Sequence, residues 1–218
     1  MSVFQMMRNS HFPWLWEAKI KEGTKSHLRS LLESVFKLFD LLVRCPIFPP
    51  DWFVMKMVTN QTILNVMTEI AKPLVSYFLK DGPFDNQLWS MYFNLAAGFL
   101  TQSSLQLEQF SLQKRQKSLE LYGDMRSRMG FQILSLWHHL DHQRLHFIPG
   151  MVGPFLEITL VPEAELRKAT LPIFFDMMQI EQQEKGNFKQ VETELIDKLD
   201  ILVSENKGDD EYRQVFNT

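Results

Sequence analysis

The sequence predicts an all-α protein whose helices stack in irregular layers, as in an α-solenoid or an irregular bundle. Three observations lead there. Apolar residues recur at intervals of three and four along nearly the whole chain, the spacing of one helix face. Aromatic and methionine side chains occur in almost every such segment instead of along one seam, so helices with two buried faces are expected. Alternating β-branched runs are nearly missing, and the one strand candidate, Ile158-Thr159-Leu160-Val161, is short. At usual helix lengths this implies about eight to ten helices.

The elements follow in order. Leu28, Leu31, Val35, Leu38 and Leu42 share one helix face. Pro50-Asp51 opens the next helix, whose stripe is Ile63, Met67, Ile70, Leu74 and Phe78; Pro73 inside it removes a backbone donor and predicts a kink near Glu69. Gly82-Pro83 with Asp85 marks another start, and Gly123 a stop. Met125, Met129, Ile133, Leu136 and Leu140 form the third stripe. Pro162 with Glu163 and Glu165 starts the fourth, where carboxylates meet free amides and the positive end of the helix dipole. That stripe is Leu166, Ala169, Ile173, Met177 and Ile180, interrupted by Pro172. Beyond Gly186 comes the cleanest one, Phe188, Val191, Leu195, Leu199 and Leu202, with acidic residues mostly opposite and Gly208 as a stop or loop. No fixed period joins these segments, which excludes a regular repeat protein. Phe12, Trp14 and Trp16 at one end and Phe216 at the other fit exposed end faces of a stack.

At 218 residues the chain is long enough to bury a sizeable core, and 45% hydrophobic against 22% charged residues excludes a disordered polymer. No run approaches the length of apolar chain that a membrane-spanning helix needs. The single cysteine, Cys45, excludes an internal disulfide framework and fits a reducing compartment. The start lacks the basic-then-apolar layout of a secretory signal, so a cytoplasmic protein is expected. Residues 1–150 carry 16 basic and 12 acidic side chains, and residues 151–218 carry 7 and 14. That acidic end argues against nucleic acid as a partner, because phosphate binding needs concentrated positive charge.

Four groups could carry chemistry. His138, His142 and His146 at i, i+4, i+8, with His139 and Asp141 beside them, could chelate zinc; a catalytic site would need a further ligand and a glutamate base, and a polar helix face is expected instead. Lys114, Arg115, Lys117, Arg126 and Arg128 could attract acidic headgroups or protein, but Glu120 and Asp124 interrupt them and a solvated face is the better reading. Cys45 stands in an apolar run and reads as inert. Glu163 and Glu165 read as first-turn charge, and Met6-Met7 and Met177-Met178 as core filler. No nucleophile elbow or phosphate-cradling glycine loop is present. The residues therefore assign no catalytic, cofactor or metal site.

Longer runs carry a resemblance. Asn86-Gln87-Leu88-Trp89, Phe99-Leu100-Thr101-Gln102-Ser103-Ser104-Leu105-Gln106-Leu107-Glu108, Tyr122-Gly123-Asp124-Met125-Arg126, the run from Phe147 to Pro154 and that from Pro162 to Met178 resemble the dedicator-of-cytokinesis (DOCK) proteins, large guanine-nucleotide exchange factors for Rac-type small GTPases. The stretch from Asn187 to Glu192 and the run to Asp210-Glu211-Tyr212 look closest to the subgroup found in neurons. The resemblance spans about three-quarters of the chain and is less clear over residues 1–49.

The resemblance implies an armadillo-like helical region over 50–186, preceded by a helical segment over 1–49. It implies that 187–218 are the opening helices, cut short, of the first lobe of the exchange (DOCKER) domain. In the family that lobe supports dimerisation and later lobes grip the GTPase, so no residue here matches the loop that expels nucleotide. The expected role is a scaffold or interaction segment, not an enzyme and inactive alone, meeting a Rac-type GTPase only through its parent and capable of self-association. The alternative is a standalone helical adaptor that binds full-length relatives; a histidine-based metallohydrolase is a distant third. In the first reading the stripe from Phe188 to Leu202 would pack on elements beyond Thr218 and be partly exposed here.

Overall fold

A computed structural model describes residues 1–205 apart from Pro46 and Gly82. Gly208, the run Asp210-Glu211-Tyr212 and Phe216 therefore lie outside the described residues, among which there is no strand. The α-helices are α1 (Ser2–Met6), α2 (His11–Gly23), α3 (Lys25–Arg44), α4 (Phe53–Val75), α5 (Asn86–Thr101), α6 (Leu112–Tyr122), α7 (Met125–His139), α8 (Val152–Thr159), α9 (Ala164–Lys185) and α10 (Lys189–Ser204). The strand candidate at 158–161 is the last turn of α8 and the bend after it.

Two of the helix starts read from the sequence are capped by polar side chains: Asp85 accepts the N–H of Leu88, and Glu163 accepts those of Glu165 and Leu166, whereas the start after Pro50-Asp51 has no side-chain cap. Asp124, not marked as a start in the sequence, accepts the N–H of Arg126. Gly123 (φ 68°) and Gly186 (φ 70°) end α6 and α9 in backbone conformations that side chains with a Cβ disfavour. Pro73 does not break α4, which runs on to Val75. The irregularity comes just after it, as a wide π-helical turn over Ser76–Lys80.

The helices pack in two rows that the chain fills alternately. One row runs α3, α5, α8, α10, and α2 lies against α3; the other runs α4, α7, α9. The rows meet where α5 touches α7 and where α9 touches α8 and α10. Inner helices are consequently covered on more than one side. On α4, Met57, Ile63, Leu64, Val66, Met67, Ile70 and Leu74 are all buried, more than one stripe can hold. Phe93 of α5 is the hub between the rows. Its ring meets Phe147 at 5.4 Å, Phe155 of α8 at 5.7 Å and Trp137 of α7 at 6.3 Å between centroids.

One stripe sits differently from expectation. On α3 the core face is Leu28, Leu32, Val35, Phe36 and Phe39, so the stripe is rotated and Leu38 is exposed. On α10 the stripe is partly exposed: Val191 and Leu202 are buried against α8 and α9, Leu195 and Leu199 are partly buried, and Phe188 is exposed. Further exposed apolar residues, Ile196 and Ile201, lie on its outer side. At the amino end Phe12 and Trp16 are core while Trp14 is exposed, and Met6 is exposed rather than filler.

Candidate functional site

The histidine group does not assemble. The chain leaves α-helix after His139 and continues as a 3-10 segment, Asp141–Phe147, so the i, i+4, i+8 register is lost. His138 and His139 turn their Nδ1 atoms back to the carbonyls of Leu134 and Ser135, and His146 stacks on Phe84 at 5.6 Å. His142 lies beside Asp141 at 3.3 Å on an exposed turn. Among the described residues no three His, Cys, Asp or Glu side chains are grouped to hold a metal ion.

The basic group is split by burial. Arg126 is 1% exposed and lies inside the protein, paired with Glu108 at 2.7 and 3.0 Å and with Asp124 at 2.8 Å. Burial opposes its charge, but the hydrogen bonds that it donates to Asp124 and Glu108, together with their negative charges, outweigh that and raise its pKa. Lys114 stands 4.2 Å from the ring centres of both Phe53 and Phe110. Arg115 and Lys117 are exposed, and Arg128 reaches Asn65. A continuous cationic surface is therefore not formed by these five residues. Cys45 is exposed, contrary to its apolar neighbourhood in sequence.

One hollow among the described residues was not indicated by any motif. It is a groove of about 500 Å³ where the carboxyl ends of α3 and α5 meet the amino end of α4. Gly98 of α5 sits beneath Arg44 of α3: a Cβ there would stand 3.5 Å from Arg44 Nη2 and from Val43 Cγ1, an ordinary contact distance, so the guanidinium lies against α5 at this point. Lys56 of α4 also lines the groove, its Nζ 3.4 Å from the carbonyl of Pro50. The floor is polar. Asn60 Nδ2 donates to Ser104 Oγ, Ser104 Oγ to Gln102 Oε1, and Gln102 Nε2 to the carbonyl of Phe99. Thr59 and Asn60 are buried polar residues on α4, a helix that carries several other polar side chains, so no sequence signal singled them out.

Two rows of alternating helices around an aromatic core define a helical-repeat architecture. A sequence profile described as the dedicator of cytokinesis (DOCK) TPR region matches residues 1–218, and the chain belongs to that family. It is 46% identical over 218 residues to dedicator of cytokinesis protein 4 from Homo sapiens, covering 100% of this chain and 11% of that protein. It is 44% identical over 217 residues to dedicator of cytokinesis protein 3 from Homo sapiens, covering 100% and 10%. The chain thus spans about a tenth of the length of these curated relatives. The match includes residues 1–49, and it carries one region description through residue 218. It gives no support to reading 187–218 as the start of an exchange domain. No helix of the described residues is long and apolar enough to cross a membrane.

Proposed function

We propose that the chain is a helical scaffold and interaction segment of a guanine-nucleotide exchange factor for Rac-type small GTPases, and that it supplies no reacting group to exchange. The observation that carries this reading is the match of all 218 residues to the family's TPR region. We read residues 1–218 as one stretch of that scaffold, working in the cytoplasm and reaching the GTPase through the rest of its parent. The packing supports this role. Two polar assemblies, Arg126 with Glu108 and Asp124, and Asp176 with Trp137 and Arg144, join one helical element to another. Stacked helices of this kind hold surfaces at fixed separations, which suits the spacing of other domains.

Release of a fluorescent GDP analogue from purified Rac tests the reading. Rates in the presence of the chain equal to those in buffer are expected. Acceleration of about tenfold or more, a barrier change near 1.4 kcal/mol, would show that the segment does chemistry of its own.

A further inference from the structure

We propose that the groove between the ends of α3, α4 and α5 binds an extended acidic peptide segment of a partner protein. In this complex Arg44 and Lys56 hold its carboxylates, and Thr59 and Asn60 read its backbone. The site goes beyond the scaffold reading and does not depend on it.

Charge comes first. Among the described residues the groove is lined by two cations and by no carboxylate. Arg44 spends only its Nε on Asp40, at 2.6 Å, and its two terminal nitrogens make no hydrogen bond among the described residues. The one bond of Lys56, to a neutral carbonyl, is long. Both side chains keep donors for an anion entering the groove.

The second observation is independent of charge. Thr59 is 5% and Asn60 4% exposed, and both line the groove. The Thr59 hydroxyl makes no hydrogen bond among the described residues. The relay through Ser104 and Gln102 fixes which way the Asn60 amide faces: its nitrogen is committed to Ser104, so Oδ1 is left as an acceptor with no protein donor among the described residues. Neither Asn60 Oδ1 nor Thr59 Oγ1 is among the buried atoms sealed off without a partner, so both reach the open groove, where Oδ1 can accept a ligand N–H. This separates the ligand classes. A phosphate or an inositol headgroup would satisfy Arg44 and Lys56 but bring further acceptor oxygens against Asn60 Oδ1. A peptide supplies carboxylates for the cations, an N–H for Asn60 and a carbonyl for the Thr59 hydroxyl. Ile47 and Phe48 on the rim offer apolar surface to the side chains between the acidic ones.

The experiment titrates the 218-residue chain into a fluorescein-labelled peptide of about nine residues alternating glutamate with leucine, followed by fluorescence polarisation. Saturable binding is expected, weakened about tenfold by Lys56→Ala or Arg44→Ala and abolished by Ser103→Glu, which sets a carboxylate on the exposed rim. A matched peptide alternating glutamine with leucine should bind about tenfold more weakly or not at all. Circular dichroism shows that each variant keeps the helical content of the parent. Equal binding of the two peptides, or of the variants and the parent, overturns the proposal. So does Lys56-dependent capture of the chain by phosphatidylcholine vesicles carrying phosphatidylinositol bisphosphate when the acidic peptide fails to bind.

Discussion

Glu181 Oε2 accepts the backbone N–H of Val191 at 3.0 Å, so a side chain of α9 caps the first turn of α10. Its other oxygen accepts the N–H of Gln190 at 3.3 Å and lies 3.5 Å from Lys185 Nζ, and the residue is fully buried. A carboxylate placed there satisfies amides that open every helix and meets the positive end of the helix dipole. The turn between the two helices, with Gly186 in left-handed conformation, is thereby locked.

Replacing Glu181 by Ala leaves those amides without their partner and is expected to cost about 2–3 kcal/mol. Urea denaturation measures the loss. Limited trypsin digestion should cut faster at Lys185 and Lys189, and Glu181→Gln, which keeps an acceptor, should recover part of the stability.

Arg126→Ala is expected to cost about 3 kcal/mol or more, because it removes the cation from a buried cluster and leaves Glu108 and Asp124 facing each other. The additional substitution Glu108→Ala should cost much less in that background than in the parent. Equal costs in the two backgrounds, measured by chemical denaturation, would show that the pair is not coupled.

Phe93→Ala should cost about 3–5 kcal/mol, since it opens a cavity where the two rows touch. Trp14→Ala, at a side chain that is 77% exposed, should change stability by less than about 0.5 kcal/mol. The contrast is read from thermal midpoints of the two variants.

Glu33 titrates below the ordinary glutamate range, chiefly through its hydrogen bond and charge pairing with Lys37 at 2.6 Å and then through Arg29 at 3.0 Å. A carboxyl whose folded pKa is depressed contributes stability above its ordinary value and loses that contribution as pH falls through the folded value. Glu33→Gln should therefore lower the thermal midpoint near neutral pH, with the difference from the parent shrinking between about pH 6 and about pH 3.

Much of the fold was legible in the sequence because its information is local. The stripes at Ile63, Met67, Ile70 and Leu74 and at Met125, Met129, Ile133 and Leu136 are buried throughout, and Asp85 and Glu163 cap the helices they precede. What escaped depends on neighbours distant in the chain. The apolar face of α3 is broad, and packing against α2 and α5 selects Leu32, Phe36 and Phe39 over Leu38. Arg126 reads as surface charge until Glu108, which lies on the other side of α6 in the chain, is placed against it. The groove needs Arg44, Asn60 and Gln102, each on a different segment, and no spacing rule joins them.

The ring of Phe93, wedged between the two rows, also has a mechanical consequence. Sliding one row past the other would have to pull that ring out of its nest of aromatic neighbours, so the stack resists shear and behaves as a strut. The direction of α3 relative to α10 is thereby tied to the packing around that one ring.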